Sequence, residues 1–346
     1  MKTGEQSIFY PLYHYVVIAI SMVFSVTTQF AGAVVLGVAQ LATLIVTEKL
    51  IICIVYKNTK APGKRESFLC MLLAILVNIV QPIFTYSIRP GYSSGNGYVS
   101  PTQAFVKPFI IIVCLLTYQY ICGEKTLKKQ VGITVVLFFS CLAKPVFAMA
   151  FIPAMGIYYL AERIRELDFF HHVETFGALV VNALKDIWPL IIDGVVILIQ
   201  YASSRNVTYQ SDLLSGFNGS SSIAVGWMKA WSLCVSNVWV SILFAYFAPL
   251  VFLLVNRKKL QYTTFWKMTG IYALVSFLYI SCLYQTGSKI GDLNFRNCWI
   301  IVFNLVYTGC FSEMIKMDKD KKTWATIALF GIHLLFGLAL IAKDML

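Results

Sequence analysis

The apolar residues of this chain fall into blocks of about twenty, which short polar stretches separate. About twenty helical residues are needed to cross a hydrocarbon layer of roughly 30 Å, and a helix pairs all of its own backbone groups there. Runs such as 109–116 lack the alternation of apolar and polar residues that is typical of a membrane β-strand. The pattern therefore predicts an all-α, polytopic transmembrane helical bundle with about 8–11 membrane segments.

Eight blocks are predicted to span the membrane, at residues 32–56, 67–88, 104–122, 187–202, 230–255, 264–284, 297–315 and 323–342. A longer block, 131–161, contains Lys144 followed by Pro145. Proline cannot continue the amide ladder of a helix, and each arm of this block is shorter than about twenty residues. We therefore predict a short or re-entrant helical pair at 131–161, with Lys144 near its outer tip.

Two stretches are predicted to lie along the membrane surface. Residues 10–28 begin with an aromatic run that is typical of an interfacial helix on the outer leaflet; the alternative is an ordinary first spanning helix with a cytoplasmic amino terminus. Residues 165–186 mix charged and apolar side chains, which suits a helix along the cytoplasmic interface that leads into the span at Trp188. Residues 1–346 are predicted to form a single transmembrane domain without a soluble domain.

The lysine and arginine residues predict the orientation of the bundle. The connections 57–65, 123–130, 162–174, 256–267 and 316–322 carry 17 of them, whereas 89–103, 203–226 and 285–296 carry 4. Short cytoplasmic connections are enriched in these residues. The first group is therefore predicted to be cytoplasmic and the second to be outside.

The composition supports this interpretation and narrows the class of partner. Apolar residues make up 58% of the chain and charged residues 13%, which excludes a water-soluble globular protein. The formal net charge is +12, but the cations lie in the connections and not along one stripe, so we expect no nucleic-acid partner. The apolar blocks predict membrane lipids as partners. Nine cysteines lack metal-ligand spacing and no cofactor motif is present, so the residues predict no metal site.

Two lysines next to prolines are candidate phosphate-binding residues. A lysine at membrane depth needs water or an anion, so Lys144 is predicted to present its ammonium group to a phosphate from the outer side; snorkelling or an internal ion pair is the alternative. Lys107, which precedes Pro108 at the outer end of another predicted span, suits a lipid phosphate equally well. Snorkelling of Lys107 to the headgroups is the alternative there.

A third candidate group lies at 291–297, before the helix that is predicted to begin near Trp299. Asp292, Asn294 and Arg296 combine an acid, an amide and a guanidinium, which together can bind sugar hydroxyls and a phosphate; a helix cap with interfacial anchors is the alternative. Asp193 and Glu48 lie within predicted spans, where each is expected to pair with a cation, form a relay or make a structural hydrogen bond.

Several short motifs occur together in one order along the chain: Tyr10-Pro11-Leu12-Tyr13-His14, Ser100-Pro101-Thr102 with Lys107-Pro108-Phe109, Leu142-Ala143-Lys144-Pro145-Val146-Phe147 with Ile152-Pro153-Ala154, and Gly291-Asp292-Leu293-Asn294-Phe295. With these motifs the chain resembles the GT-C superfamily of polytopic glycosyltransferases and related bacterial surface-polysaccharide proteins, over roughly residues 10–310.

The resemblance implies a bacterial plasma-membrane protein that takes a sugar from a polyprenyl-phosphate donor on the outer face. The cofactor is unknown, and this resemblance alone makes a divalent metal possible. The substrate would contact Lys144, Lys107, Arg296, Asn294, Tyr10 and His14. The first spanning helix and the acidic first outer loop of that superfamily have no counterpart here, which leaves Asp292 as a weak candidate for the catalytic acid. The alternatives are a polysaccharide polymerase, ligase or flippase, or an inactive or truncated transporter-like protein that works with a partner chain.

Overall fold

The computed structural model describes residues 11–57, 61–79, 101–167, 176–204, 223–232, 237–260, 263–286, 295–318 and 320–345. The helices are α1 Leu12–Phe24, α2 Thr28–Tyr56, α3 Lys64–Ile79, α4 Pro101–Cys122, α5 Leu127–Ala143, α6 Val146–Leu167, α7 Phe176–Ser204, α8 Lys229–Ser232, α9 Val238–Val255, α10 Thr264–Cys282, α11 Arg296–Lys316 and α12 Lys321–Met345. Two strands, β1 Ile223–Val225 and β2 Leu283–Gln285, form an antiparallel pair.

The architecture confirms the predicted all-α, polytopic bundle. Among the described residues, six helices are long and apolar enough to cross a membrane, namely α2, α4, α9, α10, α11 and α12. In the apolar part of α11, 89% of the residues are buried, against 28% for α9 and for α12. Helix α11 is therefore the centre of the bundle, while α9 and α12 expose apolar side chains such as Leu254 and Leu335 on their outer faces.

The predicted pair at 131–161 is present, and its break lies at Lys144-Pro145 as expected. Both arms are longer than the sequence block suggested, because α5 begins at Leu127 and α6 continues to Leu167. At 1.5 Å per residue the arms measure roughly 25 and 33 Å, close to the thickness of a hydrocarbon layer. The pair is thus a nearly full-length helical hairpin and not a shallow re-entrant loop.

Three predicted boundaries change. Within 10–28 the structure has the helix α1 of 13 residues, which is too short to cross a membrane upright. Of the stretch 165–186, residues 165–167 end α6, residues 168–175 lie outside the described residues, and 176–186 form the start of α7, which leads into the predicted span at Trp188. The predicted span 230–255 begins later, at Val238, because the side chain of Asn237 accepts a hydrogen bond from the Val240 amide and caps α9.

Side-chain contacts join the described parts of the five basic connections at one end of the bundle, which we name the basic end. Asp186 bonds both Lys125 and Arg163. The neighbouring Glu162 pairs with Lys267. The remaining links are the ion pair of Lys259 with Asp320 and the packing of Ile315 against Ile51 and Cys70. The shared position of these connections agrees with the orientation that the lysine and arginine count predicts.

The other end of the bundle, which we name the opposite end, contains the starts of α4, α6 and α11. The strands β1 and β2 pair there, and the indole nitrogen of Trp231 donates to the Ser281 hydroxyl at 3.1 Å. The Cys298 thiol donates to the carbonyl of Val146, so the first turns of α11 and α6 touch. The small sheet was not expected from the sequence, in which 203–226 reads as a connection.

Three prolines are matched by side chains that replace the amide donor they lack. Proline leaves the carbonyl four residues before it without its helical partner, and lipid offers no water in exchange. For Pro189 that carbonyl belongs to Lys185, and it accepts from Gln130 Nε2 at 2.7 Å. The helix α5 thus completes the hydrogen bonding of α7.

The same replacement occurs at the two other prolines. The Cys141 carbonyl, which Pro145 leaves unpaired, accepts from Gln200 Nε2 at 3.2 Å. The Ala245 carbonyl, which Pro249 leaves unpaired, accepts from the Tyr307 hydroxyl at 3.3 Å. Since α5 and α7 each supply a glutamine to the other, we name the contacts of Gln130 and Gln200 the glutamine clasp.

The first prediction concerns the orientation. Cys122 at the end of α4 is exposed, and Val225 in β1 is 81% exposed at the opposite end. A variant that keeps Cys122 as its single thiol should react with a membrane-impermeant maleimide only after intact cells are permeabilised. A second variant, with Val225→Cys as its single thiol, should react in intact cells. Labelling of both thiols from one side would contradict the proposed orientation.

The second prediction concerns the glutamine clasp. Gln130→Leu should lower the free energy of unfolding by about 0.5–2 kcal/mol, because the Lys185 carbonyl loses its donor. In a Pro189→Ala background the cost should be smaller, since the backbone amide that alanine restores at this position donates to the same carbonyl. Denaturant unfolding in mixed micelles of the four proteins of this double-mutant cycle measures the difference. An equal cost in both backgrounds would refute the replacement.

Candidate functional site

Lys144 lies at the opposite end, between α5 and α6, and is only 5% exposed. Its own amide still donates to the carbonyl of Ser140 at 2.7 Å, so the helical pairing of α5 ends at this residue. The hydroxyl of Ser140 is buried and has no hydrogen-bond partner in the part of the chain that the structure describes. The contact of Cys298 with Val146 places the start of α11 beside this break.

Lys107 is also at the opposite end, within the first two turns of α4, and is 3% exposed. Its ammonium group donates to Asn78 Oδ1 of α3 at 2.8 Å. The side chain therefore does not snorkel to the surface, as one interpretation of the sequence allowed, but makes an internal bond. Asn78, a polar residue within an apolar block, was the sequence signal for this partner and was missed.

The helix α1 belongs to the same end. The ring of Tyr13 lies 5.6 Å from the ring of Phe105, which is two residues before Lys107. His14 is half-buried, with its ring 5.3 Å from Tyr13. The motif that begins at Tyr10 and the motif that contains Lys107 thus come together in space.

Other predicted residues lie partly or wholly outside the description. Tyr10, Asp292 and Asn294 are outside the described residues. Arg296 is the first residue of α11, and its side chain is likewise outside the description. Their roles as substrate contacts, and that of Asp292 as an acid, stay predictions.

The basic end contains an ion cluster that the sequence did not reveal. The carboxylate of Asp186 is 2.5 Å from the Arg163 guanidinium and 3.4 Å from the Lys125 ammonium. It also accepts from the Tyr120 hydroxyl at 2.9 Å, and that hydroxyl accepts from Gln130 Nε2. Each of these groups has a partner within the cluster. The cluster therefore serves to hold α4, α5, α6 and α7 together and is not a reactive site.

A second ionic group at this end fixes the start of α12. Asp320 accepts from the Lys259 ammonium at 2.8 Å and from the backbone amide of Thr323. These contacts with Lys259 and then with Thr323 hold the pKa of the Asp320 carboxyl below its ordinary value. The carboxylate is therefore charged at neutral pH, as suits a helix N-cap.

The two acids within spans differ in their surroundings. Glu48 of α2 is buried and accepts from the Ser67 hydroxyl at 3.1 Å, which is the structural hydrogen bond that the sequence left open. Asp193 of α7 is fully buried, and neither of its oxygens has a hydrogen-bond partner among the described residues. Asp193 is thus an acid whose position is not explained by the packing of the bundle.

No family model, no curated protein and no solved structure matches the chain. Among the described residues, no three His, Cys, Asp or Glu side chains lie together as metal ligands.

What the opposite end offers chemically is positive charge. It has two buried lysines and the N-terminal turns of α4, α6 and α11, where the helix dipole favours an anion.

The third prediction compares how much Asp186 and Glu162, two acids of the basic end, stabilise the fold through their ion pairs. Asp186→Asn should lower the free energy of unfolding by about 1–3 kcal/mol, because two cations lose a nearly buried carboxylate. Glu162→Gln is the control, since Glu162 pairs with Lys267 and Arg165, which are both exposed (39% and 66%), and each pair should contribute at most about 1 kcal/mol. Unfolding in mixed micelles compares them, and a larger loss for Glu162→Gln would contradict this ranking.

Proposed function

We propose that this multi-pass membrane protein acts in cell-envelope polysaccharide or glycolipid assembly at a bacterial plasma membrane. In this proposal, the opposite end faces outward and holds the phosphate of a polyprenyl-phosphate-linked sugar, as in the GT-C glycosyltransferases that the chain resembles. The chain then transfers the sugar from that lipid donor.

One observation carries the proposal: the ammonium-bearing Lys144 is buried at the point where α5 breaks and α6 begins, beside the start of α11. A buried cation is retained at a cost of several kcal/mol. The neighbouring Ser140 hydroxyl, which has no described partner, adds a donor one helical turn away. A phosphate is bound well by a cation, a hydroxyl and the free amides of a helix start.

The second candidate is a polymerase, ligase or flippase of the same lipid-linked substrate, or a transporter-like protein without transferase activity. These need the phosphate contact but no catalytic base. The fully buried Asp193 favours this group, because ionisable residues at membrane depth often serve transport. The two candidates share the phosphate site and differ in the chemical step.

The fourth prediction tests the phosphate site. Lys144→Met should weaken the binding of polyprenyl phosphate to the purified protein about tenfold to a hundredfold, as expected for the loss of one charge-assisted hydrogen bond. Lys144→Arg keeps the positive charge and should lose less. Lys128→Met, which alters an exposed lysine of the basic end, is the matched control and should bind as the wild type does.

The same variants decide whether the function is right. In the native host, Lys144→Met should abolish production of the glycan while the protein still inserts into the membrane; unchanged glycan would refute the proposal. With purified protein, transfer of sugar from the lipid donor to an acceptor identifies a transferase. Movement of the intact lipid across the bilayer identifies a flippase instead.

A further inference from the structure

Helix α7 carries polar residues at intervals of seven, Asp186, Asp193 and Gln200. Seven residues are about two helical turns, or roughly 10 Å, so all three lie on one face. Both ends of this face contact α5, since Gln130 bonds the Lys185 carbonyl and Gln200 bonds the Cys141 carbonyl. Asp193 therefore lies midway along the glutamine clasp, far from both ends of the bundle.

The neighbours of Asp193 provide no cation for it in the described chain. On α5, the nearest titratable group is the thiol of Cys141, which is close enough for the charge of Asp193 to act on it. Lys144 is almost one turn further, at the end of that helix. On α6, residues 146–157 contain no ionisable side chain. On α7 itself, Asp186 and Tyr201 are about two turns away.

A carboxylate in these surroundings would be charged, fully buried and without a donor, which costs several kcal/mol. A proton removes this cost by itself, because it needs one carboxyl oxygen only. A metal cation needs about six oxygen ligands, and no cluster of potential ligands is found among the described residues. The geometry thus suits a proton better than a metal ion.

A small cavity lies between α4, α5, α6 and α7, beside the ion cluster of the basic end. It has a volume of about 10 Å³, and its lining includes Thr117, Tyr120, Asp186 and Leu190. This volume is close to the least that holds one water molecule. The Thr117 hydroxyl is buried and lacks a partner among the described residues, so it is available to such a water. Leu190 is about one helical turn before Asp193, so the cavity lies on the side of Asp193 that faces the basic end, although Asp193 itself does not line it.

We propose that Asp193 is a proton-binding site inside the bundle, and that the proton reaches it from the basic end through water beside Thr117. The proposal goes beyond the function proposed above, because it needs neither Lys144 nor a lipid-linked substrate. A buried carboxyl that gains and loses a proton from one side provides the step that proton-coupled movement of a substrate requires.

The fifth prediction uses dicyclohexylcarbodiimide on the full chain in sealed vesicles. This apolar reagent reacts with protonated carboxyl groups. Mass spectrometry of the peptides should find Asp193 labelled at neutral pH. The labelled fraction should fall when the pH is raised on the side of the basic end, and should change little when it is raised on the other side. Thr117→Val should slow this response severalfold.

Controls make the outcome decisive. Asp193→Asn should remove the label, and Glu48→Gln, which alters a buried acid with a hydrogen-bond donor, should leave it unchanged. Infrared difference spectra of the wild-type protein give a second measurement, since a protonated Asp193 contributes a carboxylic-acid stretch that disappears in alkali. Absence of both the label and this band overturns the proposal. Labelling that does not depend on pH, or that responds to the pH on the side of the opposite end, also overturns it. So does labelling that sodium blocks at constant pH, because this would show that Asp193 binds a metal cation.

Discussion

A proline within a spanning helix removes one amide donor, and a lipid environment offers no water to replace it. At three prolines in or next to the helices of this protein, Pro189, Pro145 and Pro249, a side chain from another helix supplies the missing donor. The carbonyl of Lys185 is satisfied by α5, that of Cys141 by α7 and that of Ala245 by α11. Because apolar side chains gain little by leaving lipid for a helix interface, such directional bonds specify which helices are neighbours.

The two ends of the bundle use charge in different ways. At the basic end, acids pair with some of the many cations, for example Asp186 with Arg163, and these pairs tie the helices together. At the opposite end, Lys107 and Lys144 are buried where helices begin. The first arrangement stabilises the fold, while the second is suited to an anion.

The sequence predicts the features that depend on local pattern. The lengths of apolar blocks indicated the spans, the lysine-rich connections indicated the shared end, and Pro145 indicated the break after α5. It could not predict features that depend on packing between distant segments. Nothing near Gln130 indicates that its partner is the Lys185 carbonyl, and nothing near Lys107 selects Asn78. The charged residues of 165–186 likewise do not indicate that Asp186 is buried by partners from other helices.

The strand pair has a consequence for the biosynthesis of this protein. The residues of β1 leave the ribosome before α9 and α10, yet their partners in β2 follow those two helices along the chain. The sheet therefore cannot form until both helices have been delivered to the bilayer. The surface of the opposite end around the sheet is accordingly among the last parts of the molecule to mature, and a chain stalled within α10 would display this surface unfinished.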